Sequence, residues 1–414
     1  VLSERRSGSA FLLSAVITAA LGGLLFGFDI AIITGAGPYL KEHFRLSDLG
    51  LGWAFSSLLC GCVIGSLLTG RLADRIGRRG ALFWAAALFA ATSILTGVAQ
   101  NFSFFIAARC LGGLAVGAIS ILSPMYIAEI APARSRGRLG ALYQMSVVTG
   151  ILLSYLTNYW LRNAGTNNWR WMFLTGVIPS VLFWLLLLRA PETPRYLVMA
   201  GREEEARRVL SRILNSELAA VELAAIRSSF ANCQQNWGEL IRPGMRRAIA
   251  VGFCLAILIH VSGVNTVIDY APSIFQAAGW NIDAALFATF LVGVTNFVFT
   301  IASFWMIDRW GRKPLYMAGS TVMAAMLASL AALASRGEFH GKLVPLLIMI
   351  YLAFFASCIG PVFWTLVPEI FPNRLRARAM TMPVLTQWIT NAVVVLFFPL
   401  AFNRLGKFIT FGFL

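Results

Sequence analysis

Eleven apolar runs constrain this chain more than any other feature. They fall at about residues 10–35, 50–70, 80–99, 102–128, 138–161, 170–190, 247–276, 283–306, 314–334, 343–368 and 379–401. About 20 residues of helix, rising roughly 1.5 Å each, cross the hydrocarbon layer of a bilayer. Inside lipid a segment must satisfy its own backbone N–H and C=O groups, so runs of this length fold as helices. An all-α integral membrane protein is predicted. Charged residues make up only 13% of the chain, against roughly 25% in soluble domains. A twelfth run begins near Lys407 and the sequence ends inside it. The first run is too long for a cleavable signal peptide, and none is expected.

The net charge of +16 would suggest nucleic acid in a soluble protein, but its placement says otherwise. Of 34 Lys and Arg, 25 lie in the N-terminus and even-numbered connections, 8 in odd-numbered connections, and one, Arg109, inside a span. That asymmetry follows the positive-inside rule, so the N-terminus is expected in the cytoplasm and no nucleic-acid partner is expected. Five cysteines (Cys60, Cys62, Cys110, Cys254, Cys358) sit in apolar runs and Cys233 in the long polar stretch; all read as small packing residues. The chain has no Gly-x-x-x-x-Gly-Lys-Ser/Thr loop and no metal-binding array among His43, His260 and His340. An ATP-driven pump, a membrane enzyme, a bound metal and a cofactor are therefore not expected.

Two motifs occur twice. Asp74-Arg75-x-Gly77-Arg78 follows span two, and Asp308-Arg309-x-Gly311-Arg312 follows span eight, an offset of 308 − 74 = 234. Glu129, Pro132 and Arg136 after span four match Glu369, Pro372 and Arg376 after span ten, an offset of 369 − 129 = 240. A duplicated six-span unit is predicted, the two copies in the same orientation. The expected boundaries are a first bundle over 1–190, a linker over 191–246 and a second bundle over 247–414. In the linker, Val209, Leu210, Ile213 and Leu214 recur at helical spacing among charges such as Glu203–Glu205, which predicts short amphipathic helices. The motif acids and arginines are expected to pair across the halves and latch one conformation. The alternative is that they only anchor topology.

These residues resemble the sugar porter family of the major facilitator superfamily, over nearly the whole chain. Within it the likeness is to bacterial proton-linked xylose and other monosaccharide symporters. The segments that carry it are Gly70–Arg79, Ser123–Glu129, Pro191-Glu192-Thr193-Pro194-Arg195, Asp308–Pro314 and Gly360–Trp364. The resemblance implies the major facilitator fold with two six-helix bundles. It implies proton-coupled uptake of a pentose or hexose by alternating access, in a multi-pass protein of the bacterial inner membrane that acts as a monomer. A facilitative sugar uniporter and a polyol or inositol symporter are the alternatives. Glu192 and Arg195 join the motif residues as a cytoplasmic gate.

Asp29 is the one acid inside the first span. Counted from the outer ends of their spans, Asp29 and Arg109 both lie roughly 10 Å deep, so they are expected to pair. Arginine favours the charged carboxylate and burial the neutral acid, so a change of surroundings can move a proton. In the proton-linked members that this chain resembles, an acid and an arginine at these positions form the coupling site; facilitative members carry an amide in place of the acid. A static ion pair is the alternative. A sugar site needs groups that donate and accept, plus flat aromatic faces. The resemblance places Gln144, Asn265, Asn296, Gln387, Trp388 and Asn391 there, with Phe26, Phe355, Gly360 and Trp364. Each amide could instead join helices.

Span seven departs from the family. Ile259-His260 stands where two glutamines are common, and Asp269 where an aromatic gate residue is common. His260 can still bond a hydroxyl and belongs to the residue type that titrates near neutral pH. Asp269 reads as an exposed acid near the outer mouth. Gly263, Pro272 and the Gly360-Pro361 pair predict that spans seven and ten bend and act as gates.

Overall fold

The computed structural model describes residues 2–132, 134–231, 243–363, 370 and 376–414; side-chain surroundings are not described for 2–9, 216, 229–231, 243–244, 308 and 376–381. Among the described residues, 11 helices are long and apolar enough to cross a membrane. The first five are α1 (Leu2–His43), α2 (Asp48–Ile76), α3 (Arg78–Gly97), α4 (Phe102–Ile130) and α5 (Arg136–Leu161). The sixth crossing, expected to be continuous, is split at Thr175-Gly176 into α6 (Asn168–Leu174) and α7 (Val177–Leu187).

The linker holds α8 (Pro194–Met199), α9 (Glu203–Ile213) and α10 (Ser216–Ala231). As its spacing predicts, α9 buries Ala206 and Leu210 on one face. The seventh crossing is α11 (Pro243–Val261), α12 (Val264–Asp269) and α13 (Ala271–Ala277). Then come α14 (Ile282–Trp310), α15 (Arg312–Ser335), α16 (Leu343–Phe354), α17 (Arg376–Leu400) and the short α18 (Lys407–Phe413).

The breaks expected in spans seven and ten are present. Gly263 separates α11 from α12 with φ 76°, a left-handed conformation open to glycine. A π-helical turn over Phe355–Ile359 follows α16, just before Gly360-Pro361. An extra residue in a turn widens the helix and frees backbone groups, a feature common at functional sites.

The duplication is visible in the helices themselves. α2 and α14 are each 29 residues long and begin 282 − 48 = 234 apart. Each is capped at its start, Ser47 Oγ accepting from the Gly50 N–H at 3.1 Å and Asn281 Oδ1 from the Ala284 N–H at 2.8 Å. Each ends on a glycine in the same conformation, Gly77 at φ 86°, ψ 166° and Gly311 at φ 78°, ψ 167°.

Small residues set the closest crossings. α2 meets α4 at Gly61 and Gly113, where a Cβ on either would fall on the partner backbone, at the carbonyls of Cys110 and Leu58. α1 meets α5 the same way, through Gly27 against Val147 and Gly150 against Leu24. The outside of the bundle carries exposed Trp84, Ile178, Leu258 and Met317, an apolar surface suited to lipid rather than water.

At the end remote from the linker, the two sets of helices touch. Arg162 Nε, just past the end of α5, meets Asp283 Oδ1 of α14 at 2.8 Å. Asn403 Nδ2 donates to Asp48 Oδ1 at 2.7 Å. Between them Tyr270 stacks on Phe55 of α2 at 4.3 Å and on Phe398 of α17 at 5.1 Å. Above this stack lies a vestibule of about 420 Å³ lined by Lys41, Glu42, Arg45, Tyr270 and Phe398.

Candidate functional site

Asp29, the one acid in the apolar stretch of α1, faces the single arginine of α4. Arg109 Nη1 donates to Asp29 Oδ1 at 2.7 Å, and Nη2 lies 3.4 Å from the Asp29 carbonyl oxygen. Both side chains are buried, 3% and 8% exposed, and the guanidinium lies over the Phe173 ring at 5.2 Å. Asp29 Oδ2 and Arg109 Nε have no hydrogen-bond partner among the described residues. Burying two charges costs several kcal/mol each unless geometry and further hydrogen bonds offset it. A pair with one orphaned atom on each side therefore offsets that cost only in part.

The expected pairing forms, but not by the depth counting that suggested it. α1 runs on through Pro38 to His43, so Asp29 lies 43 − 29 = 14 residues from its end. Arg109 lies 109 − 102 = 7 residues from the start of α4. The helix ends are staggered, and α1 overhangs its neighbours.

One turn away, α1 lines a central cavity of about 180 Å³ with Phe26, Gly27 and Ile30. Ten of the side chains singled out from the sequence meet there. Gln144 comes from α5, His260 and Asn265 from the broken seventh span, and Asn296 from α14. Phe355 and Gly360 come from the widened tenth span, and Gln387, Trp388 and Asn391 from α17. Phe26 and Trp388 meet edge to face at 5.8 Å across the cavity. Trp364 lies outside the described residues. The cavity is smaller than the roughly 300–1,000 Å³ of drug-sized ligand sites, so its occupant is small.

The polarity of the cavity is particular. Asn265 Nδ2 donates to His260 Nδ1 at 3.1 Å. With Nδ1 engaged by the amide, Nε2 is the ring nitrogen left for a further hydrogen bond. Nε2 has no partner among the described residues and His260 lines the cavity. His260 thus presents Nε2 to the cavity. Ile259 lines the wall beside it as an apolar surface.

Sequence reasoning missed several wall residues. Thr300 joins Asn296 in the lining and stands four residues on, a spacing that would have found it. Val147, Val148 and Ile151 form an apolar flank that no sequence signal separates from core packing. Phe173 over Arg109 is a purely tertiary contact.

Asp269 is the clearest reversal. Expected to be exposed, it is 5% exposed, and its Oδ1 has no partner among the described residues. The break at Gly263 and the turn at Tyr270 fold α12 back into the wall against α1 and α17.

Among the described residues at the linker end, Asp74, Arg78, Glu129 and Glu192 pair within the first bundle. Arg78 meets Glu129 at 3.2 Å and Asp74 at 3.4 Å. Thr193 Oγ1 donates to Glu129 Oε2 at 2.6 Å. The Glu192 carboxylate caps α3, accepting from the backbone N–H groups of Arg78 at 3.0 Å and Arg79 at 3.1 Å. Burial pushes the Glu192 carboxyl up from its ordinary range, opposed by those N–H groups. Tyr196 Oη donates to the Arg75 carbonyl at 3.2 Å.

Glu129, Arg136 and Arg195 line a surface pocket shared with Glu222 of α10, and the Arg309 guanidinium rests 5.0 Å from the centre of the Trp305 ring. The expectation of pairs across the halves involves Asp308, Glu369 and Arg376 as well, whose side chains are not among those described. Gly77 turns the chain so tightly that Arg78 falls back between α2 and α4 of its own bundle. Of the partner copy, Arg312 and Arg309 belong to the described side chains; Glu369 lies outside the described residues, as do the side chains of Asp308 and Arg376.

Comparison with known proteins agrees with this architecture. Residues 15–414 match the family model described as sugar (and other) transporter. The arabinose-proton symporter of Bacillus subtilis is 37% identical over 414 residues, covering 98% of this chain and 89% of its own. The D-xylose-proton symporter of Escherichia coli is 36% identical over 427 residues, covering 95% and 86%. The partially occluded, inward-open structure of the E. coli xylose transporter superposes with a TM-score of 0.87 at 32% identity, covering 97% of this chain and 96% of that one. With the major facilitator fold thus in place, the chain belongs to the sugar (and other) transporter family, whose members are membrane transporters and not enzymes.

Proposed function

We propose that this protein is a proton-coupled symporter of a monosaccharide, a pentose or hexose, working by alternating access in a bacterial inner membrane. The reading places the linker and the N-terminus in the cytoplasm, takes 1–190 and 247–414 as the two rocking bundles joined by 191–246, and has a monomer as the working unit. The observation that carries it is a buried Asp29–Arg109 pair sharing α1 with a cavity lined by amides, an imidazole and aromatic rings. In this reading Asp29 and Arg109 are the coupling pair. Gln144, His260, Asn265, Asn296, Gln387 and Asn391 bond the sugar hydroxyls, Phe26, Phe355 and Trp388 pack on its C–H faces, and Gly360 and Trp364 complete the wall.

Protonation of Asp29 removes the charge that holds Arg109 and so frees α1 from α4. Sugar bound between the bundles favours the closed arrangement, and the two events together permit the swing. The relatives named above are arabinose-proton and D-xylose-proton symporters, which favours a pentose and favours coupling over passive uniport. The test is the purified protein in liposomes with a trapped pH dye. D-xylose or L-arabinose added outside should acidify the lumen, and an imposed proton gradient should drive accumulation of labelled sugar. Sugar entry without proton movement would establish a uniporter instead.

A further inference from the structure

The reading above uses Asp29 but leaves a second buried acid unexplained. Asp269 is the last residue of α12, and its position is defined by its two chain neighbours. Ile268 lines the central cavity, and Tyr270 lines the vestibule at the opposite end. Asp269 therefore stands in the partition between the two spaces, beside the Phe55–Tyr270–Phe398 stack that closes it.

Among the described residues Asp269 forms no ion pair. The cation whose field reaches it is Arg109, the guanidinium already bonded to Asp29. The other titratable groups facing it are Tyr155 of α5 and its own neighbour Tyr270. Tyr270 donates its hydroxyl to the Val395 carbonyl at 3.0 Å; Tyr155 places its own 3.5 Å from the Ile268 carbonyl oxygen. From α17 the packing around Tyr270 is apolar, through Phe398. Asp269 Oδ1 is buried with no hydrogen-bond partner among the described residues, and an ionisable side chain at this depth in a membrane span marks a proton or ion pathway.

We propose that Asp269 is a second proton-carrying carboxyl, a relay between the outer vestibule and the Asp29–Arg109 pair, a role that rests on the proton-coupled reading. When the partition opens, Asp269 takes a proton from vestibule water. When it closes, the O–H bond at Asp269 breaks and one forms at Asp29. Arg109 keeps its charge throughout and shifts its pairing from Asp29 on α1 to Asp269 on α12. No other reactant is required. The shift carries the guanidinium's attraction from one bundle to the other, so proton transfer and closure of the outer gate become one event.

The experiment uses the full-length protein in liposomes and D-xylose as probe. Wild-type protein should show xylose-driven proton uptake, gradient-driven accumulation and xylose counterflow. Asp269→Asn should keep counterflow, which needs no net proton movement, while proton uptake and accumulation fall by more than tenfold. Asp269→Glu should restore both. Equal loss of counterflow and accumulation in Asp269→Asn, or no loss of either, overturns the relay.

Absence of proton movement in the wild type would instead sink the symport reading, so the two failures are distinct. Should Asp269→Asn not fold, the wild type answers through dicyclohexylcarbodiimide, an apolar reagent that modifies protonated carboxyls. Modification of Asp269 at neutral pH, found by peptide mass spectrometry, supports the relay; its absence rejects it.

Discussion

A buried ion pair with one unsatisfied atom on each partner is balanced between holding and releasing. Asp29 and Arg109 fit that description, with Oδ2 and Nε left over. Removing one partner of such a pair leaves the other charge uncompensated, at a cost of about 3–5 kcal/mol. Asp29→Asn should therefore lower the melting temperature in detergent as well as abolish uphill accumulation, while counterflow continues. Persistence of accumulation in that variant would reject the coupling role of Asp29. Among the cavity residues, Gln387→Ala removes a side chain that donates and accepts. The loss of one buried hydrogen bond costs about 1–3 kcal/mol, so xylose affinity measured by calorimetry should weaken about 5- to 150-fold. The same variant should leave the pH profile of transport where it was, because Gln387 lines the cavity and takes no part in the ion pair.

Helices here approach each other as closely as glycine permits, and that makes the crossings unforgiving. A side chain at Gly113 would meet the Leu58 carbonyl on α2, which cannot move without breaking a helical turn. Overpacking costs about 1–3 kcal/mol even where side chains can yield. Gly113→Leu should exceed that range, and the expected outcome is loss of the monodisperse peak in size-exclusion chromatography of the detergent extract. Gly137, with no atom near its Cβ position, is the control site where Ala is tolerated. The broken spans behave differently. Gly263 at φ 76° and the π-helical turn at Phe355–Ile359 place irregular backbone where it borders the cavity. Such backbone is found at membrane depth only when it lines a cavity or lies within protein.

At the scale of the molecule, the end remote from the linker is held shut by few contacts. Arg162–Asp283 is partly exposed, and a pair of that kind contributes about 0.2–1 kcal/mol. Charge reversal, Asp283→Arg, should shift the population toward the state open at that end by up to about fivefold. A cysteine introduced at Ser273, which lines the vestibule, reports the shift through its rate of maleimide labelling. An unchanged rate would mean that the aromatic stack alone sets the closure. Loss of that stack in Phe55→Ala should raise the same rate, since stacked aromatic pairs contribute about 0.5–1.5 kcal/mol beyond the area they bury.

The sequence by itself determined the solvent, the number of crossings and the duplication, while the cavity's residues were placed by resemblance to the sugar porters. The first three are written in one dimension, as run length, charge placement or motif offset. Asp29 and Arg109 were legible because charges inside apolar runs are few and because the resemblance to proton-linked sugar porters joins these two positions. Other features were decided only in three dimensions. The partners of Arg78 depended on how Gly77 aims the chain, which turns its guanidinium onto Glu129 and Asp74 of the same bundle. The orientation of His260 depended on Asn265 reaching its Nδ1. Asp269 looked like a surface acid because sequence position cannot register a segment folded back into a wall. Burial of a polar atom is a sum over neighbours from distant parts of the chain, and only packing supplies those neighbours.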